Sequence, residues 1–207
     1  MDVILNSGGL DSAVVLSLVT SMQPHKQNIL AVNFIYSQQN SRGVASAKKI
    51  ADYYKVEYVS QELDLSWPQM QTLDTFGKPR KLLKLRNLVF VANLIPIIAE
   101  FDSVRIWGGW NADDFNYPDA QVGFLNALQK TFQAGEPSWD VQIMAPWLYL
   151  TKNEIVGIGL KLQTPFQLTW SCHNKIDKPC GTCDSCIQRN KAFASYNLVD
   201  PLIKEDN

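Results

Sequence analysis

Net charge is what this sequence has least of. Nineteen Lys and Arg stand against twenty Asp and Glu, leaving a formal charge of −1 over 207 residues. No basic surplus therefore calls for nucleic acid or an anionic membrane as partner. No apolar run reaches the ~18 residues of a membrane helix, and no basic region precedes an apolar stretch at the start, so neither a span nor a signal peptide is expected. Internal repeats and low-complexity tracts are absent too. Cysteine is scarce, with four residues and none before position 172. What remains is a chain sized for one compact domain, with 46% hydrophobic residues, six Trp and nine Phe, enough for a full and aromatic core. A cytoplasmic enzyme is the expectation.

The opening reads MDVILNSGGLDSAVVLSLV. Val3, Ile4 and Leu5 make a brief apolar run ended by a turn signal, which suits a buried strand of a parallel sheet. From Ser12 onward Val15, Leu18, Val19 and Met22 share one helical face. Ser7-Gly8-Gly9-Leu10-Asp11-Ser12 is thus a tight strand-to-helix turn. Backbone N–H groups at the helix head, backed by the helix dipole, make such a turn an anion site, phosphate above all, and the glycines let backbone approach closely. The alternative is a plain corner with Asp11 or Ser12 as N-cap. The turn lacks the Gly-Lys-Ser/Thr ending of a Walker A loop and the third glycine of a dinucleotide fingerprint. SGGLDS does resemble the PP-loop of the ATP pyrophosphatase superfamily, patterned SGGxDS. Members of that superfamily cleave ATP between the α- and β-phosphates and transfer AMP to an acceptor oxygen.

Strand-like runs then alternate with helical patterns. Residues 29–36, 56–65 and 103–109 read as further strands, the last ending at a Gly-Gly turn. Helices are expected over 41–54, with Val44, Ala47, Lys48 and Ala51 on one side, and over 88–101, kinked at Pro96. Two more are expected over 119–132 and over 151–162, the latter capped by Thr151 with Glu154 three residues on. This alternation predicts an α/β fold with a doubly wound parallel sheet, whose ligands sit at the carboxyl ends of the strands. The turns after three of the strands, SGGLDS, NFIYSQQN and WGGWNADDF, can converge there. Residues 1–165 are taken as the nucleotide-binding α/β domain and 166–207 as a metal-binding segment packed on it.

That segment holds every cysteine, as Cys172, Cys180, Cys183 and Cys186, spaced C-x7-C-x2-C-x2-C. Clustering of this kind is a ligand pattern rather than a disulfide framework. Four thiolates fill a closed tetrahedral zinc shell with no position left for substrate, so the site folds the segment rather than doing chemistry. An iron–sulfur cluster is the rival, and His173 can replace one thiolate. The following stretch, 187–196, reads as a short helix with Arg189, Ala192, Phe193 and Tyr196 on one face, packing the knuckle onto the sheet.

SGGLDS, APWLYLTKNEIVGIG and TWSCHN with CGTCDSCIQRNKAF together resemble the 7-cyano-7-deazaguanine synthase family, in order and over nearly the whole chain. The resemblance implies an adenine-nucleotide α-hydrolase-like fold and an ATP-dependent ligase. Such an enzyme joins 7-carboxy-7-deazaguanine and ammonia into the nitrile through adenylated intermediates, in queuosine-type base synthesis. It also implies structural zinc, magnesium and a homodimer. No room remains for a glutaminase domain, so free ammonia is the expected nitrogen source. The alternative within the superfamily is adenylation of another carboxylate or of a tRNA base, against which the neutral charge weighs. Several loops depart from the family pattern. Tyr-Gly-Gln-Arg-His is here Tyr36-Ser37-Gln38-Gln39-Asn40, and Val-Pro-Gly-Arg-Asn is Leu83-Lys84-Leu85-Arg86-Asn87. Asp-x-Ser-Gly-Tyr-Pro-Asp is Asp114-Phe115-Asn116-Tyr117-Pro118-Asp119, one residue shorter.

Roles follow on matched positions. Ser7, Gly8, Gly9, Leu10 and Ser12 are expected to hold phosphates, with Asp11 as the magnesium partner. Asn33 and Phe34 at the second strand's end can contact adenosine. The run KPRKLLKLRN (78–87) usually reads as a solvated face, yet the Arg-Asn match makes Arg86 the oxyanion clamp. Lys152 is the second catalytic cation. Tyr36, Gln38, Asn87, Asp114, Tyr117 and Asp119 are the candidate substrate readers, carboxylates for ring N–H groups and aromatics for stacking. Asp119 can equally cap the helix that begins there.

Overall fold

The computed structural model describes residues 1–23, 25–36, 41–65, 70–73, 79–82 and 84–203, the runs 70–73 and 79–82 as backbone alone. Gln38 and part of the 78–87 run lie outside the described residues. The chain starts in β1 (Asp2–Leu5) and passes through α1 (Leu10–Met22), β2 (Ile29–Ile35) and α2 (Ser41–Tyr54) to β3 (Glu57–Glu62). An antiparallel pair, β4 (Met70–Leu73) and β5 (Pro79–Leu82), precedes α3 (Arg86–Ile98). Then come β6 (Ser103–Trp107), α4 (Val122–Gly135), β7 (Asp140–Met144), α5 (Lys152–Lys161) and α6 (Asp184–Ala194).

Five strands form one sheet in the order β3-β2-β1-β6-β7, and every pairing is parallel. Ile4 lies opposite Ala31 on one side and Trp107 on the other. The winding reverses between β1 and β6, so a crevice opens at their carboxyl ends. The period of two sorts the core onto two faces. Ile4, Ile29 and Ala31 pack with α1, α5 and α6, while Val3, Leu30 and Val32 pack with α3 and α4. Phe166, Ala192 and Phe193 from the cysteine-bearing end join the first of these cores. No helix of the described residues is long and apolar enough to cross a membrane.

Local details differ from the sequence reading. α1 is buried on nearly every side rather than along one stripe, with Ser12 to Ser17 and Val19 buried and Met22 half exposed. The sheet, α2 and α5 surround it. Lys48 leaves the expected apolar side of α2 to pair with Asp52 in water. β7 escapes a sequence reading because, at the sheet's edge, only Val141 of its five residues is fully buried. Pro96 lies inside α3 on its exposed side and does not end the helix.

Candidate active site and metal centre

The Ser7–Ser12 turn follows β1 directly, and Gly9 is the N-cap of α1, in extended backbone and with no side chain capping it. Asp11 and Ser12 therefore stand inside the first turn, and neither is the N-cap. Gly8 takes φ +76°, and a Cβ there would lie 2.1 Å from the Gly43 carbonyl oxygen of α2. Only glycine meets both demands. Within the turn, Gly8 N–H donates to Asn6 Oδ1 at 3.2 Å, Gly9 N–H donates to Ser7 Oγ at 3.2 Å, and the Ser7 and Ser12 hydroxyls meet at 3.1 Å. The first two amides of the turn are thus bonded within it.

The turn forms one wall of a cavity of about 330 Å³ that gathers the three expected loops. Ser7, Gly9, Leu10, Asp11 and Ser12 line it, facing Asn33, Phe34 and Tyr36 from the end of β2. Arg86 and Asn87 enter from the head of α3, and Asp114 and Tyr117 from the loop after β6. Gly109 brings that loop against the Ser7–Ser12 turn, where a Cβ would sit 3.0 Å from Asp11 Cβ. Gly8 and Lys152 stand one contact behind the lining.

Polar atoms in this cavity are left without partners. Asp11 Oδ2 accepts from Lys152 Nζ in a largely buried ion pair, while Asp11 Oδ1 is buried and bonded to nothing. Asn33 Nδ2 donates to the Asn6 carbonyl at 2.7 Å, leaving its Oδ1 unbonded as well. Arg86 donates to Tyr36 OH at 3.3 Å, and its Nε is buried without an acceptor. Burial works against the charge of Arg86, but Tyr36, Asp119 and Tyr117 outweigh it and hold the guanidinium protonated. Burial first, then the nearby Asp11 carboxylate, pushes the Asp114 carboxyl up to about 6. Buried polar groups normally find partners, so this set marks where a ligand with both donors and anionic oxygens fits.

Asn87 and Asp119 bond to each other. Asn87 N–H donates to Asp119 Oδ2 at 2.9 Å, and Asn87 Nδ2 donates to the Asp119 carbonyl at 2.9 Å. Asp119 thus caps α3, not the helix after it, whose N-cap is Gln121. The pair ties the 114–119 loop to the head of α3. Similarly, Asp113 Oδ2 accepts from Lys152 N–H at 2.7 Å, and Thr151 with Glu154 forms the expected capping box on α5. Lys152 is aimed at Asp11 by this doubly capped helix head. Sequence reading missed Asn6, Trp110 and Trp170, which also line the cavity, as does His173, read there only as a possible metal ligand. Asn6 adjoins the quoted turn and Trp170 lies inside the quoted TWSC, so the signal for both was adjacency alone.

The four cysteine sulfurs lie within 4.8 Å of one another, with Cys180 and Cys186 4.0 Å apart. One ion bound tetrahedrally at ~2.3 Å sets its sulfurs about 3.8 Å apart, so the set fits a single metal. Backbone N–H groups support it: Cys180 N–H donates to Cys172 Sγ at 3.4 Å and Cys183 N–H to Cys180 Sγ at 3.3 Å. Against burial, hydrogen bonds from Thr182 and Cys183 bring the Cys180 thiol down to about 6, while burial pushes the Cys183 and Cys186 thiols up. This centre touches the Ser7–Ser12 turn through Trp170, whose N–H donates to the Gly8 carbonyl at 2.8 Å and whose Nε1 donates to the Cys172 carbonyl at 3.0 Å. Arg189 of α6 anchors the same strip. It is buried, paired with Asp200 at 2.7 Å, and bonded to the Phe166 carbonyl and Thr169 Oγ1.

A parallel sheet carrying Ser-Gly-Gly-x-Asp-Ser at its switch point defines a PP-loop protein. Within that class the chain belongs to the family of queuosine biosynthesis protein QueC, whose model matches residues 1–197. It is 34% identical to the 7-cyano-7-deazaguanine synthase of Thermoplasma acidophilum, over 97% of this chain and 90% of that one. The synthase of Trichodesmium erythraeum is also 34% identical, over 97% and 99%. Among solved structures, the U34-tRNA thiolase NcsA from Methanococcus maripaludis, with its [4Fe-4S] cluster, has a TM-score of 0.52 at 19% identity, over 95% of this chain and 64% of that one. That likeness is one of fold alone.

Proposed function

We propose that this chain is a 7-cyano-7-deazaguanine synthase, making the nitrile from 7-carboxy-7-deazaguanine, ammonia and ATP with release of AMP and diphosphate. The observation that carries the reading is one cavity in which the Ser7–Ser12 turn, Arg86 and the Asp114–Tyr117 loop face each other. A carboxylate resists ammonia because oxide is a poor leaving group. Attack of a carboxylate oxygen on the α-phosphorus of ATP expels diphosphate and gives an acyl-adenylate. Ammonia then adds at carbon, AMP leaves with the former carboxylate oxygen, and the primary amide forms. The amide oxygen repeats the attack on a second ATP. Departure of that AMP, with loss of the nitrogen protons, leaves the nitrile.

The chain's own residues supply orientation and charge. Ser7, Ser12 and the head of α1 receive the phosphates, and the Asn33 side chain with the Phe34 backbone receives adenosine. Arg86 clamps an oxyanion by its fork, and Asp114 and Tyr117 read the deazaguanine. Asp11, with one buried oxygen unbonded, is suited to hold magnesium, which neutralises charge on the phosphates when bound. Lys152, paired with Asp11, is then placed to follow the transferring phosphoryl group. Zinc is the ion we assign to the four cysteines, because a cubane, with irons at separate corners, spreads its sulfurs wider than one ion does. A cytoplasmic homodimer using free ammonia completes the reading. Mass spectrometry of purified protein with ATP, magnesium, ammonium and 7-carboxy-7-deazaguanine tests it. Nitrile with AMP is the expected product, and its absence from folded, metal-loaded protein refutes the proposal.

A further inference from the structure

We propose that Arg42, stacked on the face of Trp170, is a further catalytic residue: it binds the β- and γ-phosphates of ATP and stabilises them as they leave as diphosphate. This deepens the adenylation reading and rests on it. Three segments distant in sequence meet at one corner of the cavity. The head of α2 lies so close against the Ser7–Ser12 turn that a Cβ on Gly8 would be 2.1 Å from the Gly43 carbonyl oxygen. The Trp170 strip adjoins the same residue, its N–H donating to the Gly8 carbonyl at 2.8 Å. Gly43 and Trp170 both line the cavity with Ser7 and Gly9. Arg42, next to Gly43 in the first turn of α2, carries its guanidinium carbon 5.4 Å from the centroid of the Trp170 ring.

Trp170 is a fixed platform. It is buried and held at both of its N–H groups, the second donating from Nε1 to the Cys172 carbonyl at 3.0 Å. A cation within ~6 Å of an indole centroid is attracted to the ring face. An exposed arginine, otherwise spread over many rotamers, is thereby held at the cavity's edge. Stacking uses the flat face of a guanidinium and leaves bidentate bonding of phosphate oxygens to its edge.

The charge balance asks for a cation at this corner. Asp11 and Lys152 cancel as a pair, and Arg86 stands at the head of α3 on Tyr36. A triphosphate brings more negative charge than a magnesium ion neutralises. The turn's first amides do not supply the difference, because those of Gly8 and Gly9 donate within it. The sequence agrees. The family pattern Tyr-Gly-Gln-Arg-His carries its cations at the positions of Gln39 and Asn40, both neutral here, and the first cation after Tyr36 is Arg42. As the acceptor oxygen bonds to the α-phosphorus, the bond from that phosphorus to the bridging oxygen breaks, and its electron pair leaves with diphosphate. Charge therefore grows on the β-phosphate, where a fixed cation contributes more in the transition state than before it.

Binding separates this role from the identity of the acceptor. On the full, metal-loaded chain, calorimetry with magnesium and α,β-methylene-ATP, and separately with AMP, reads the two ends of the nucleotide. Arg42→Gln should weaken the triphosphate analogue roughly tenfold and leave AMP unchanged. Arg42→Lys keeps the charge without the flat face and should recover only part of the loss. Lys49→Gln removes an exposed cation about two turns further along α2 and should change neither. In turnover, Arg42→Gln should lower kcat for AMP formation by about a hundredfold. Analogue binding indifferent to Arg42→Gln overturns the proposal. So does an equal loss of AMP, an equal loss in Lys49→Gln, or an unchanged kcat. Wild type that binds neither nucleotide overturns the adenylation reading as well. Should no acceptor turn over, the binding measurements decide alone.

Discussion

Two aspartates, Asp2 buried and Asp11 partly buried, lie nine residues apart, at opposite ends of the sheet, and are treated in opposite ways. Asp2, at the start of β1, has both oxygens filled: Trp107 Nε1 at 2.7 Å on one, Arg105 at 2.7 Å and Gln23 at 2.5 Å on the other. Asp11, just past the end of β1, has Lys152 on one oxygen and nothing on the other. Asn33 and Arg86 carry unbonded atoms at that same end. Saturation stabilises a fold, whereas a buried group without a partner costs it stability. The carboxyl end of the sheet carries that cost, as a site built to receive a ligand's atoms would.

Substitutions break the comparison in graded ways. Asp11→Asn should lower AMP formation by about a thousandfold, roughly 4 kcal/mol of transition-state stabilisation, while thermal unfolding of the ligand-free protein stays within a few degrees; steady-state kinetics beside calorimetry decide it. Asp2→Ala should do the reverse, costing about 3 kcal/mol of stability by stranding the Trp107 and Arg105 donors, with turnover of the folded fraction intact; urea unfolding measures the loss. Arg86→Lys keeps the charge but not the fork, and should weaken turnover by about a hundredfold, or roughly 2.7 kcal/mol.

The Asp114 carboxyl sharpens the contrast through pH. Its folded value near 6 lies above the unfolded one of about 3.9. The protonated form therefore favours the fold: that stability is full below about pH 4 and is lost as pH rises through about 6. Wild type should lose about 1–2 kcal/mol relative to Asp114→Asn across that window, after allowance for solvent screening, and ligand-free melting curves at several pH values report it. The smallest effect is expected from Leu85→Gly, which relieves a left-handed backbone at that position and should raise single-chain stability by about 1 kcal/mol, read by denaturant unfolding at concentrations too low for association.

Much of this was legible in the residues. SGGLDS, the apolar runs of β1 and β2, the Thr151–Glu154 box and the cysteine spacing are local patterns whose physics needs few neighbours. What stayed hidden depends on distant partners. Nothing near Asp119 in sequence tells that it caps α3, 32 residues earlier, and nothing near Arg189 tells that Asp200 buries beside it. Nothing local tells that the Gly8 and Gly9 amides donate to Asn6 and Ser7. β7 stayed hidden because an edge strand shows only half a pattern.

Activation of the carboxylate by transfer of AMP onto its oxygen leaves an isotopic trace. The direct test is turnover of 7-carboxy-7-deazaguanine labelled with ¹⁸O in both carboxylate positions, followed by mass spectrometry of the nucleotide. Each AMP leaves with an oxygen taken from the substrate, so the account predicts two singly labelled AMP molecules for every nitrile formed. Unlabelled AMP, or label appearing in diphosphate or water, contradicts it.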